Sequence, residues 1–125
     1  MRPVVAIVPV DDGQLCVGGD EAIAEAGGRC LLIGDGTADA LASVFGLATE
    51  VGLIEAGPFR PAAWASVLAD SSFIGVMQFV DEADQPVVIV PGSPDGRHLA
   101  PRLAHTLEWP LVHGAARVDG RRAIV

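Results

Sequence analysis

Few stretches of this chain hold residues able to do chemistry, and the turn Pro91-Gly92-Ser93-Pro94-Asp95-Gly96-Arg97 is the first of them. It lies between an apolar run, Val87–Val90, and a helical pattern. A small, glycine-containing turn at such a place can offer backbone N–H groups to an anion. Ser93, Gly96 and Arg97 are the candidate ligands for a phosphate. Asp95 would repel that phosphate, and Pro94 has no N–H to donate. The same residues also read as plain structure, with Ser93 as an N-cap and Pro94 and Asp95 suited to a first helical turn. Capping is commonplace at helix starts, and it competes directly with the anion site.

The other candidates are thinner. Gly34-Asp35-Gly36-Thr37 follows a strand pattern and opens a helix, as a dinucleotide fingerprint does, but Asp39 stands where the third glycine belongs. A turn with Thr37 near a helix cap fits better. His98 and His105 are seven apart, so on one helix they sit about 10 Å from each other, too far for one metal. His113 adds no cluster, and the histidines read as solvent-facing. Ser93 lacks the nucleophile elbow G-x-S-x-G, because Asp95 replaces its second glycine. No catalytic constellation emerges, and the chain is not expected to be an enzyme.

These residues need elements to position them. Val4–Val10 is a near-continuous β-branched run, the mark of a strand buried on both faces. Asp11–Gly19 is a turn region, and Asp20 is the expected N-cap of a short helix, Glu21–Ala26, closed by Gly27-Gly28. Cys30–Ile33 is a second strand. Thr37–Phe45 predicts a helix with Leu41, Val44 and Phe45 as its apolar stripe. Val51–Ile54 is a third strand, and Pro61–Leu68 a helix with proline at its first position. Over Ser71–Asp84 the spacing of Phe73, Val76, Met77 and Val80 favours helix, while FIGVMQFV is also β-rich; Asp84-Gln85-Pro86 separates the stretch from Val87–Val90, the better strand. Val87–Val90 is a strand, 97–108 a helix and Leu111–His113 a strand. Asp119-Gly120 suits a hairpin turn. Pro101 falls inside the 97–108 helix and removes an N–H there, so that helix either starts near 98 or bends. Strands alternating with helices predict an α/β fold: a mostly parallel sheet with helices on both faces, ending in a C-terminal β-hairpin.

At 125 residues the chain fits one domain. Half of it is hydrophobic and 19% is charged, a surplus of apolar surface that predicts a covered interface and hence a partner. The net charge of −8 argues against nucleic acid. Residues 85–125 are the exception, with five arginines against Asp95, Glu108 and Asp119. Every basic residue is arginine. No apolar run approaches the ~20 residues of a membrane span, and the N-terminus reads as a strand rather than a signal peptide. Cys16 and Cys30 are too few for a disulfide scaffold, which favours the cytoplasm. The end at Ala123-Ile124-Val125 falls within a strand pattern, as in a domain cut from something longer.

The segment Pro91 to Ala104, PGSPDGRHLAPRLA, followed by Leu107 and Pro110-Leu111-Val112, resembles the N-terminal domain of electron transfer flavoprotein alpha subunits. That family carries a small-residue turn, then G-[RK]-D-L-A-P-R-[LV]-A, a leucine and a proline-led strand. Pro101 occupies the family's unusual helical position, while His98 stands where aspartate is usual. Ile7–Val10 and Leu31–Gly36 match more weakly. The short first helix is similar to that of alpha subunits associated with the mycofactocin redox system. The resemblance covers 87–113 most specifically, and it implies a Rossmann-like fold of the adenine-nucleotide-hydrolase type. It also implies a heterodimer with a beta subunit that takes electrons from dehydrogenases and passes them towards a quinone-linked acceptor, using FAD. In that family FAD lies mainly in the C-terminal domain, which these 125 residues do not include. The chain would then be a scaffold and interface domain without a cofactor of its own. The alternative is an adenine-nucleotide-binding module with the phosphate at the 92–97 turn, since the related beta subunits hold AMP beside a comparable turn.

Overall fold

The computed structural model describes residues 4–71, 87–107 and 123–124. Strand β1 spans Val4–Asp11, and six of its eight residues are buried. Alternate residues face opposite sides of a strand. Val5 and Ile7 therefore enter one core, and Ala6, Val8 and Val10 enter another. A strand apolar in both directions must lie inside a sheet covered on both faces, as the sequence predicts.

The neighbours follow from that. Strand β3 (Arg29–Gly34) runs parallel to β1 with Ala6 opposite Cys30 and Val10 opposite Gly34. Strand β4 (Glu50–Glu55) runs parallel to β3, from Arg29 opposite Glu50 to Gly34 opposite Glu55. On the other side β5 (Val87–Ile89) pairs parallel with β1, and β6 (Ala123–Ile124) with β5. The order is β4-β3-β1-β5-β6.

The sixth strand was not expected. β2 (Gln14–Leu15) pairs antiparallel with the end of β1, within what reads as a turn region. Asp11 and Gln14 face each other across Asp12 and Gly13, whose φ angles are 49° and 76°. Two successive positive φ values define the hairpin turn that Asp-Gly favours, because only glycine and the short polar residues enter that region readily. The sheet is therefore mixed, though mostly parallel.

Helices cover both faces. On one, α3 (Pro61–Ala69) contributes Trp64, Ala65 and Leu68, and α4 (Pro94–Leu107) contributes Leu99, Ala100, Leu103 and Ala104. Phe59 meets Trp64 edge to face, with centroids 4.9 Å apart. On the other face lie α1 (Gly19–Glu25), α2 (Thr37–Ala40) and a short 3-10 turn, η1 (Leu41–Val44).

Three boundaries depart from expectation. Asp20 does not cap α1: the cap is Gly18, in the left-handed region, and the first helical bond runs from the Ala22 N–H to the Gly18 carbonyl. Gly19 already lies against the Val8 side chain, so the helix begins before Asp20 is reached. Thr37–Phe45 is not one helix. It is a single α turn relaxing into 3-10 geometry, and the extended backbone of Phe45 ends it. Phe45 consequently leaves the apolar stripe and stands 79% exposed. Helix α4 starts at Pro94, earlier than 97, and runs through Pro101, whose exposed position keeps its ring out of the core. The expected strand Leu111–His113, the hairpin turn at 118–121 and the expected helix over 71–84, beyond Ser71, lie outside the described residues.

The two-sided core sets a clear stability contrast. Leu103 is fully buried between α4 and the sheet, so Leu103→Ala should lower the unfolding free energy by about 2–5 kcal/mol in urea denaturation. Phe45→Ser should change it by less than about 0.5 kcal/mol, because that ring packs little in the fold.

Candidate functional site

The strand order reverses at β1. From there the chain builds outward through β3 and β4, then returns to place β5 on β1's other edge. Open α/β sheets bind ligands in the crevice beyond the carboxyl ends of the strands at such a switch point. The turn 91–97 follows β5 and opens α4, so it lies at that place in this fold.

Within the turn, the three candidate residues are tied to one another and to their neighbours. Ser93 is the N-cap of α4: its Oγ accepts the Gly96 N–H at 3.1 Å, and its carbonyl accepts the Arg97 N–H at 2.9 Å. Arg97 folds back, and its Nε donates to the Gly92 carbonyl at 3.0 Å. Ser93 is buried, as are Pro91 and Gly96. Gly96 is required by space: a Cβ there would come within 1.9 Å of the Pro91 carbonyl oxygen. The capping reading of Ser93 thus describes the turn as it stands. The segment after β2 lies beside it. Gly18 approaches Pro91, and Cys16 lies beside Ser93 and Asp95. Burial pushes the Cys16 thiol above its ordinary value and the Asp95 charge adds to that, while the Ser93 side chain partly offsets it. Cys30 is fully buried in β3, and desolvation pushes its thiol up to about 11. Burial thus favours the protonated thiol at both positions.

The fingerprint-like loop does hold an anion, and the anion belongs to the protein. Glu55 ends β4 directly opposite Gly34. Its carboxylate accepts the Gly36 N–H at 2.9 Å and the Thr37 N–H and hydroxyl at 2.9 and 3.0 Å. In a glycine fingerprint such donors are the ones offered to pyrophosphate; here they hold a side chain of the same chain. The N–H bonds from Gly36 and then Thr37 hold the Glu55 carboxyl below its ordinary value. Sequence reasoning identifies Thr37 at the cap but misses Glu55. An acidic residue some twenty positions past the glycines is itself part of the dinucleotide pattern, so that signal was available. Its reach to Gly36 and Thr37 depends on the β3–β4 register, which no local pattern encodes.

The remaining candidates stay apart. His98 and His105 are exposed on α4, and His113 lies outside the described residues. Among the described residues no group of three or more metal-ligating side chains converges. No helix among them is long and apolar enough to cross a membrane. What the fold defines is an α/β domain with a mixed, mostly parallel sheet. No protein-family model, curated protein or solved structure matches the chain.

Two substitutions test this geometry. Ser93→Ala removes the cap and leaves the buried Gly96 N–H without its acceptor, and should lower the unfolding free energy by about 1–2 kcal/mol. Glu55→Gln should lower the melting temperature at neutral pH. Because the folded-state carboxyl lies below its ordinary value of 4.5, the wild-type advantage is complete above that value. It should shrink as pH falls through the folded value, so melting curves of the two proteins converge in acid.

Proposed function

We propose that this chain is the N-terminal, cofactor-free domain of an electron transfer flavoprotein alpha subunit, a scaffold that packs on a beta subunit and supports a flavin domain. In this reading the domain is a Rossmann-like, adenine-nucleotide-hydrolase-type module, and it is a component of an electron carrier, not an enzyme. The supporting observation is the braced turn at the switch point: Ser93 accepts the Gly96 and Arg97 N–H groups, and Arg97 Nε holds the Gly92 carbonyl, with Cys16 beside Ser93. A turn arranged this way suits a structural role. The family-like letters of 91–107 then serve to seat α4 on the sheet, where Leu99 and Leu103 enter the core.

The position of the turn favours one further reading, since a switch point is where an α/β sheet takes a ligand. An adenine nucleotide with its phosphate there would meet a Gly96 N–H already held by Ser93 Oγ, and Arg97 would reach it with the guanidinium N–H groups other than Nε, which holds Gly92.

Purified from an expressing cell, the 125-residue chain should carry no flavin absorbance, and it should co-purify with a co-expressed beta subunit. Stoichiometric FAD on the chain, or failure to bind that subunit, overturns the scaffold reading. Calorimetric titration with AMP and ATP should give no heat of binding at millimolar nucleotide; saturable heat that Arg97→Ala abolishes would establish the nucleotide module instead.

A further inference from the structure

The charge of this chain is gathered in one stretch. Residues 11–55 hold nine of the sixteen carboxylates against a single arginine, so they account for the entire net charge of −8. That arginine, Arg29, is itself paired with Glu50 at 3.3 Å. The same stretch carries the two most exposed large apolar side chains among the described residues, Val17 at 85% and Phe45 at 79%.

Both side chains stand on turns held by backbone hydrogen bonds. Around Val17, the Cys16 N–H donates to the Pro9 carbonyl at 3.0 Å and the Gly19 N–H to the Cys16 carbonyl at 3.1 Å. Past Phe45, the Leu47 and Ala48 N–H groups both donate to the Val44 carbonyl, at 3.1 and 2.9 Å. An open groove of about 520 Å³ lies between the 14–20 segment and η1, lined by Leu15, Cys16, Val17, Gly18, Asp20 and Ser43. Phe45 follows Ser43 by two residues. Asp12, Asp35 and Asp39 are exposed nearby, with Asp39 packed close to Gly13. Apolar tips on fixed turns lose little freedom when covered, which is the arrangement of an interface anchor.

We infer that this face docks a segment of another protein that presents an apolar anchor between lysines or arginines. Charge selects the occupant. A second copy meeting the same face would set carboxylates against carboxylates, and a polyanion would be repelled. A cationic segment with an apolar centre satisfies both the rim and the exposed tips. This inference stands apart from the flavoprotein reading and holds or fails without it.

The test is a chemical-shift titration of the isotope-labelled chain with three synthetic hexapeptides. The first has leucine and phenylalanine between paired arginines. The second has glutamates in place of the arginines, and the third has glycine and serine in place of the apolar pair. The first peptide should move backbone signals at 14–20 and 43–47, and added salt should weaken its binding. Loss of the anchor, or the double variant V17S/F45S, should weaken it by roughly 10-fold or more. Both substitutions are at exposed positions, and an unchanged melting temperature confirms that the variant is folded. The inference is overturned by any of four results: no shifts at millimolar peptide, shifts confined to other residues, equal binding of the anchorless peptide, or binding indifferent to V17S/F45S. Sedimentation of the chain alone covers the remaining occupant. A wild-type dimer that V17S/F45S converts to monomer would assign the face to a second copy and overturn the inference as well.

Discussion

A strand that is apolar towards both faces cannot sit at an edge or against water, and β1 imposes that condition on everything around it. Its two sets of side chains demand two cores, so helices must cover both sides of the sheet. Its two edges demand partners, and β3 and β5 supply them in parallel register. Parallel neighbours cannot be joined by a tight turn, which makes each connection a crossover and sends the chain to one side of β1 and then the other. The reversal of strand order at β1 is the result. The place where a ligand would be sought is therefore a by-product of burying one run of eight residues.

At that place, and at the loop after β3, the protein has used polar groups on itself. Ser93 caps α4 and Arg97 clasps the Gly92 carbonyl, while Glu55 fills the loop at Gly36 and Thr37. Two loops with the outline of phosphate sites are thus braced from within, one by a hydroxyl and the other by a carboxylate. Surface features carry the remaining information. α1 and α2, with Asp20, Glu21, Glu25 and Asp39, cover one face of the sheet, and α4, with Arg97 and Arg102, covers the other.

Strands of β-branched residues and helix ends were legible because their causes are local. Val4–Val10, Cys30–Ile33 and the Ser93 cap each follow from a few neighbouring residues, and the structure has all three. Asp12-Gly13 is an equally local turn signal, but it follows directly on a long apolar strand and shows itself only in the β2 hairpin it forms. Other features depended on packing. The cap of α1 moved to Gly18 because Gly19 fits against Val8, and Phe45 left its stripe because a single turn of helix could not carry it inward. Of the candidate site, the identity and role of Ser93 were readable. The clasp of Arg97 and the reach of Glu55 were not, since each depends on where a distant or folded-back group ends up in space.

The Glu55 bond has an implication for how such loops change over time. A carboxylate fixed to the adjacent strand behaves as an intramolecular competitor, present at an effective concentration that a free metabolite in solution does not match. A single exchange at position 55 would free the Gly36 and Thr37 N–H groups while leaving the glycines, the strand register and the two cores in place. What keeps those donors occupied is thus located on the neighbouring strand and not in the loop itself.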